Sequence, residues 1–471
     1  MAEIVDTFDL WEESEKLPSE ELPFSMEELA KKCIAGEYVL VVGSSIILDE
    51  RSKIGSQCEG DSAKLFMDGA VKKYKEGSLS EKICKAIKFF DKKGYLKTQY
   101  LNPTLKDILE EKCFRTIVTT AYDPYLEIYL DELWKKQYKR LNINANEKNN
   151  IMRDISTADI CSNEFNIKIP MLYYAFGKAE YKELSSNGSI DEFGATDNGK
   201  MEIVSQWLGE QAPNNFLTYL SKKRVLAIGC RFDDWLFRFF WYMLKKDINL
   251  LSKGEVVFDY CDEKDLSLKS YLASQKIKVF ENAREFMKKL TCAIRELKQK
   301  EIEDLKNGNN YRLMTLGNKG IFISYAHEDF WVVNRIYKKL VEKGLNVWMD
   351  VRLEAGDLYD SRIEAAIKQC QVFIPVLTST VKLVLENGEC ENRYFYNKEW
   401  AIAENCINEL NNIGENKDVI PILTDLFNMS GDYSGRLKSF ITSRDAFDLG
   451  KQKIDVLINK ILEKTNNKKY E

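Results

Sequence analysis

The chain has 471 residues, 44% of them hydrophobic and 30% charged, with a net charge of −5. That length predicts two or three domains with ample surface to bury, and the composition is that of a water-compatible globular chain. The charges are mixed along the sequence, which leaves no basic footprint for nucleic acid, and the apolar run at 38–48 is far too short to span a membrane. The 11 cysteines are scattered and form no Cys-x-x-Cys pair, so reduced, buried thiols are expected and no disulfide framework. His327 is the single histidine, so no zinc or other metal site is expected, and a histidine base is excluded elsewhere.

Residues 1–23 are acidic and lack the basic-then-apolar pattern of an export signal, so they are read as an extension on a cytoplasmic protein. Ser25, with Glu28 three residues later, opens a short helix. The run 38–42 predicts a buried strand, and it ends in Gly43, Ser44 and Ser45. Residues 62–94 read as helical and charged. A second buried strand at 116–120 leads into Ala121, Tyr122, Asp123 and Pro124, then a helix over 125–136. The polar stretch 139–157 is taken as a loop or insertion. A strand at 169–174 runs into Ala175, Phe176 and Gly177. Another at 225–228 ends in Gly229, Cys230, Arg231, Phe232, Asp233 and Asp234, ahead of an aromatic helix at 235–244. Segments 255–260 and 277–280 complete the alternation, which predicts a parallel sheet covered on both faces. Such sheets bind ligands at the carboxyl ends of their strands. The candidate ligand-binding residues at these strand ends are Gly43, Ser44, Ser45, Asp123, Gly229 and Asp233.

Over residues 25–297 these pieces resemble a sirtuin-like domain of Rossmann type, and the resemblance implies a nucleotide as the ligand at those strand ends. The resemblance rests on Val41-Val42-Gly43-Ser44-Ser45, on Thr119-Thr120-Ala121-Tyr122-Asp123-Pro124, and on Ile228-Gly229-Cys230-Arg231-Phe232-Asp233-Asp234. Bacterial NAD-hydrolysing relatives carry Asn where this chain has Ala121 and the catalytic His where it has Phe176. Phe cannot take a proton and Ala cannot hold a water, so this domain is expected to be catalytically inactive. The zinc-binding Cys pairs of the deacetylases are missing as well. A nucleotide-sensing role and a structural role both stay open.

Residues 283–306 are helical by period and are followed by a break at 307–310. The expected organisation is an extension at 1–24, the sirtuin-like domain at 25–297, a helical linker at 298–318 and a second domain at 319–471. That second domain reads as a strand at 320–325, a helix at 331–343, and a strand at 345–349 ending in Asp350. A loop at 351–359, a helix at 361–370 and a strand at 372–377 follow, then a surface loop at 378–392. Further strands at 419–423 and 444–449 precede a closing helix at 454–462. Five short strands alternating with helices predict a small flavodoxin-like α/β domain.

The stretch 393–403 places Glu399 on the first turns of a helix, with Phe395 four residues earlier on the same face and Trp400 beside it. A carboxylate next to an aromatic ring can hold a planar cation and stabilise positive charge on a sugar. The alternative is an amphipathic helix with core aromatics and a solvated Glu, and the stretch alone favours it.

The whole unit from 320 to about 464 resembles a Toll/interleukin-1 receptor (TIR) domain. Its pieces are Phe322-Ile323-Ser324-Tyr325, Val347-Trp348-Met349-Asp350 with Gly356, Ile363-x-x-Ala366-Ile367, and Phe395-x-x-Lys398-Glu399-Trp400. The resemblance implies cleavage of NAD+ at the nicotinamide–ribose bond, with Glu399 as the catalytic carboxylate and NAD+ as substrate, so that no separate cofactor is needed. It further implies that Tyr325, His327, Asp350, Phe395 and Lys398 contact the substrate, with Glu404 as a second candidate carboxylate. His327 as a base and His327 as a surface or hydrogen-bonded residue both stay open. The two-domain order resembles bacterial anti-phage proteins that deplete NAD+, which implies homo-oligomers and a phage-derived protein trigger. A non-enzymatic TIR signalling scaffold with a nucleotide-sensing sirtuin-like domain is the alternative.

Overall fold

The computed structural model describes residues 25–136, 138–144, 152–156, 170–181, 193–232, 234–244, 256–258, 267, 270, 274, 278–280, 282–307, 320–326, 329–349, 357–378, 381, 398–412, 418–424, 446–449 and 454–466. The expected extension at 1–24 lies outside them, as do residues 308–319 and 382–397, which hold parts of the expected linker and surface loop.

The N-terminal part is built on a parallel sheet whose central strand is β1 (Tyr38–Val42). All five of its residues are buried, because β2 (Thr116–Thr119) and β5 (Arg224–Ile228) pair with it on either side and helices cover both faces. Tyr38, Leu40 and Val42 enter one apolar cluster, while Val39 and Val41 enter the other. This is why the run is continuously apolar and does not alternate. The remaining strands are β3 (Lys139–Asn142), β4 (Met171–Tyr174), β6 (Val256–Phe258) and β7 (Lys278–Phe280), and the order across the sheet is β3-β4-β2-β1-β5-β6-β7.

On one face pack α1 (Met26–Ile34), α2 (Ser62–Lys73), α3 (Leu79–Lys92), α4 (Pro103–Glu110) and α5 (Tyr125–Leu133). On the other lie α6 (Asp197–Leu208), α7 (Asn214–Ser221) and α8 (Trp235–Leu244). Several helices start where the sequence supplies a cap. Ser25 Oγ accepts from the Glu28 amide at 3.2 Å, and Asp61 Oδ1 accepts from Ala63 and Lys64 at the start of α2. The expected helix at 62–94 is two helices: Gly77 turns the chain at φ +97° and Ser78 caps α3. The expected loop at 139–157 contains strand β3, which pairs with β4 from Lys139↔Met171 to Asn142↔Tyr174. Its charged start is compatible with an edge strand because Arg140 is met by Asp131 and by Glu127 at 3.5 Å.

The C-terminal part repeats the plan at smaller scale. Its strands are β8 (Ile321–Ser324), β9 (Val347–Met349), β10 (Val372–Leu377), β11 (Asp418–Val419), β12 (Ile422–Leu423) and β13 (Phe447–Asp448), ordered β13-β12-β10-β8-β9 with β11 also on β10. The pairs are parallel. The single strand expected at 419–423 is divided into β11 and β12 around Pro421, which has no amide hydrogen to give to the ladder. Helices α10 (Phe330–Glu342) and α13 (Ile454–Asn466) cover one face of this sheet. Helices α11 (Asp357–Gln369) and α12 (Trp400–Asn412) cover the other.

Between the two sheets, in chain order, runs α9 (Ala283–Asn307). Phe286, Met287, Leu290 and Ile294 bury into the N-terminal core, and Ile302 packs against the C-terminal one. Its polar side adds ties to both parts. Lys298 Nζ meets Glu111 at 2.7 Å, and Glu301 accepts from Asn334 Nδ2 and contacts Lys338; apart from α9, Arg335 of α10 donates to the Ile34 carbonyl at the end of α1 at 3.0 Å.

Candidate functional site

Each sheet has a switch point, where the chain turns from building one way to building the other, and a crevice opens there at the carboxyl ends of the strands. In the N-terminal sheet that strand is β1. A cavity of about 470 Å³ lies at the strand ends, lined by Ser44, Thr120, Tyr122, Phe176, Lys200 and Asp234 among others. Much of its polar lining is already paired within the protein. Lys200 Nζ lies 2.9 Å from Asp234 Oδ1, and Arg231 Nη1 lies 3.8 Å from Asp61 Oδ2. Phe176 is a 6%-exposed wall whose ring meets Phe237 and Phe240 edge-on.

Of the six residues expected to bind a nucleotide here, Ser44 lines the cavity. Gly43 and Gly229 are committed to each other. A Cβ on Gly43 would sit 1.8 Å from the Gly229 carbonyl oxygen, and Gly229, at φ +66°, has Ile46 Cβ within 2.6 Å of where its own Cβ would be. Ser45 Oγ donates to that same Gly229 carbonyl at 2.8 Å. These residues bind the end of β1 to the end of β5. Asp123 is 2% exposed; its Oδ2 accepts from Ser62 Oγ at 2.5 Å and its Oδ1 from the Tyr125 amide at 3.1 Å. Burial pushes its carboxyl up to about 6, against the pull of those two donors. Asp233 lies outside the described residues; its neighbour Asp234 lines the cavity.

The C-terminal sheet has the order 2-1-3-4-5, counting β8 as the first strand and β12 and β13 as the last two, so its switch point lies between β8 and β10. Ser324 ends β8, and Thr378 follows β10. Thr378 Oγ1 donates to Asp329 Oδ2 across this gap at 2.5 Å. Glu399 stands in a wide helical turn just ahead of α12 and is 3% exposed. Ser324 Oγ donates to Glu399 Oε2 at 2.5 Å, and Trp400 Nε1 donates to Ser324 Oγ at 3.0 Å. Trp400 itself is fully buried among Phe322, Ile363 and Phe373. The aromatic residue is therefore core, as the plain amphipathic reading has it, but the glutamate is not solvated.

Strand alternation separates the other expected residues. Phe322 and Ser324 face α12, whereas Ile321, Ile323 and Tyr325 face α10. Tyr325, expected beside the substrate, is instead 3% exposed in the cluster on the opposite face, 6.4 Å from the Phe330 ring. Lys398 is exposed next to Glu399. His327, Asp350 and Phe395 lie outside the described residues. Glu404, the second candidate carboxylate, is partly exposed one turn further along α12. Ser324 and the indole nitrogen of Trp400 are the partners that sequence reasoning did not single out. The signal that could have found Ser324 is its place two residues after Phe322 on a strand of period two.

Among the described residues, no helix is long and apolar enough to cross a membrane. No curated protein matches the chain. A family model described as a SIR2-like domain matches residues 115–280, and one described as a TIR domain matches residues 321–455. The first match covers β2 to β7, leaving β1, the central strand of the same sheet, ahead of it. The second starts on the first residue of β8 and includes Glu399. The chain thus joins an N-terminal SIR2-like domain of Rossmann type to a C-terminal TIR domain of flavodoxin-like order.

Proposed function

We propose that the protein is an NAD+ glycohydrolase whose TIR domain cleaves the nicotinamide–ribose bond, with Glu399 as the catalytic carboxylate. The observation that carries this reading is the position of Glu399: a buried carboxylate at the switch-point crevice of a TIR sheet, held by the Ser324 hydroxyl. Nicotinamide in NAD+ is cationic. When its bond to ribose C1′ breaks, the electron pair goes to the ring nitrogen and a neutral amide departs. No general acid is needed, unlike ordinary glycoside hydrolysis with its two carboxyl groups. One carboxylate facing C1′ stabilises the oxocarbenium-like charge that develops there. Water then adds to C1′ and loses a proton to give ADP-ribose; capture by a nucleophile within the molecule gives a cyclic product instead.

On this reading Lys398, His327, Asp350 and Phe395 surround the substrate. Glu399 is only 3% exposed in this conformation, so NAD+ must gain access through a rearrangement. We assign that step to self-association of TIR domains in a homo-oligomer. The SIR2-like domain, taken as 25–297 and joined to the TIR domain at 319–471 by α9 and the segment after it, is then catalytically inert. Phe176 stands in its cavity where proton transfer would need a histidine. That domain senses a trigger, such as a phage protein or a nucleotide, or scaffolds assembly. The physiological outcome is depletion of NAD+ in anti-phage defence.

The test is nicotinamide release from NAD+ by the purified full chain under conditions that promote oligomers, compared with Glu399→Ala. The expected result is release by the parent and at least a hundredfold loss in the variant at unchanged oligomer size. Equal release by both would refute the assignment. No release by either, under conditions where oligomers form, would favour a signalling scaffold.

A further inference from the structure

We infer that Ser324 and Trp400 form a positioning pair that orients the Glu399 carboxylate, the Trp400 indole donating to the Ser324 hydroxyl and the hydroxyl to the carboxylate. This rests on the reading of Glu399 as the catalytic carboxylate. The argument begins with what each group can do. An indole nitrogen only donates, a serine hydroxyl has one proton and two lone pairs, and a carboxylate only accepts. Trp400 Nε1–H points at Ser324 Oγ at 3.0 Å, so that oxygen accepts there. Its one proton is then free for Glu399 Oε2, 2.5 Å away. With Glu399 ionised the relay runs in a single sense, from indole to hydroxyl to carboxylate, because the carboxylate has no proton to return.

The three groups sit on rigid supports. Ser324 is the last residue of β8 and 1% exposed, and its strand is flanked by β9 and β10. Trp400 is 0% exposed and locked in the core under α12. Glu399 precedes Trp400 in the chain, so the ring that directs the serine also anchors the backbone of the carboxylate. A hydrogen bond to the charged form of an acid favours that form. The pair therefore holds Glu399 in place and favours its charged form, the form that a developing cation needs beside it. Among the described residues, the charged or titratable groups on the elements packed around Glu399 are few. They are Lys398 and Glu404 on its own segment, Glu364 paired with Lys368 at 2.6 Å on α11, Asp329 bonded to Thr378, and the buried thiols of Cys370 and Cys406.

The test compares the parent with Ser324→Ala, Ser324→Thr and Glu399→Gln in the full chain. One measurement is kcat and KM for nicotinamide release between pH 5 and 8. The other is the pH titration of the Trp400 indole N–H resonance, assigned with Trp400→Phe. A hydrogen bond to a charged group contributes about 1.5–3 kcal/mol, so Ser324→Ala is expected to lower kcat about 10- to 150-fold with KM within twofold. The acid limb of its kcat profile should move to higher pH, and Ser324→Thr, which keeps the hydroxyl, should recover most of the loss. In the resonance experiment, the indole proton should titrate with Glu399 in the parent and stop doing so in both Glu399→Gln and Ser324→Ala. A folded Ser324→Ala protein with unchanged indole titration, or with parental kcat and acid limb, would overturn the pairing. If the parent releases no nicotinamide but its indole still titrates through Ser324, the reading of the function fails while the pairing stands.

Discussion

Asp123 gives a prediction whose size follows from its surroundings. Its carboxyl is 2% exposed in the N-terminal core, and burial raises it from an ordinary 3.8 to about 6. That displacement corresponds to about 3 kcal/mol. The folded chain holds the proton more tightly than the unfolded chain. Below about pH 4 both are protonated, and the full advantage of the neutral acid is present. Between about pH 4 and 6 the unfolded chain loses its proton first, so stability falls as pH rises, and above about 6 the loss is complete. Asp123→Asn removes the ionisation. The amide oxygen keeps the bond from the Tyr125 amide, and the amide nitrogen can donate to Ser62 Oγ in place of the bond lost. The variant should therefore be more stable than the parent by up to about 3 kcal/mol at pH 7.5, with the difference shrinking toward zero near pH 4. Hydrogen exchange at the β2 amides of Ile117 and Val118 reports opening of this domain separately from the TIR domain. A parent–variant difference that stays constant across that range would show that the Asp123 proton is not linked to folding, and the reasoning would fail.

Three further outcomes are expected. Gly43→Ala drives a methyl group into the Gly229 carbonyl at 1.8 Å, and should destabilise the N-terminal domain by about 3 kcal/mol; a denaturant midpoint equal to that of the parent would contradict the close approach of the two strand ends. Phe176→His in a Glu399→Gln background should yield no nicotinamide release, because a buried imidazole among Phe237 and Phe240 does not by itself rebuild a site without the Asn that Ala121 replaces; measurable release would mean the SIR2-like domain is closer to active than its residues suggest. Glu301→Ala removes the acceptor for Asn334 and the contact with Lys338, and should raise proteolytic cleavage after α9 several-fold, read by limited digestion, with little change in the melting of either domain.

The parts of the fold that show in the sequence are those whose burial is complete. The runs at β1, at 225–228 in β5 and at β10 are apolar throughout because both faces of each are covered, and no polar residue interrupts them. Strand β3 was hidden because its opening residues are Lys139 and Arg140. What makes Arg140 acceptable in a strand is Asp131 and Glu127 on a helix before it, a tertiary pairing with no local signature. The same limit applies to the glycines. Gly43 and Gly229 read as ligand-binding strand ends, but Gly43 is required by the Gly229 carbonyl 186 residues further on, and Gly229 by its positive φ and by Ile46. At the TIR site the carboxylate and its place ahead of a helix were readable from residues 393–403. The division of Ser324 and Tyr325 between opposite faces was also present in the period-two pattern, since Tyr325 stands in line with Ile321 and Ile323. What could not be read was that Trp400, a core residue by every local measure, aims its indole N–H at Ser324.

The two crevices differ in how their polar groups are arranged, and this bears on which of them does chemistry. In the SIR2-like domain several of them pair among themselves: Lys200 with Asp234, and Arg231 with Asp61. A ligand entering that cavity must compete with the Lys200–Asp234 pair, and it meets Phe176 where a proton acceptor would be needed. Such a site suits binding that reshapes the domain more than it suits bond cleavage. In the TIR domain the chain of donors from Trp400 through Ser324 ends on an acidic group, Glu399, with little access to water. Burying a carboxylate is costly unless charge or strong donors compensate it. A site that keeps one at a strand end, directed by a fixed hydroxyl, is stabilised most when a cation arrives beside it. The positive charge that develops on ribose as nicotinamide leaves is such a cation. On the proposed function, the cost of holding Glu399 out of water and its role in cleaving NAD+ are then the same physical fact, and a substitution that relieves the first should abolish the second.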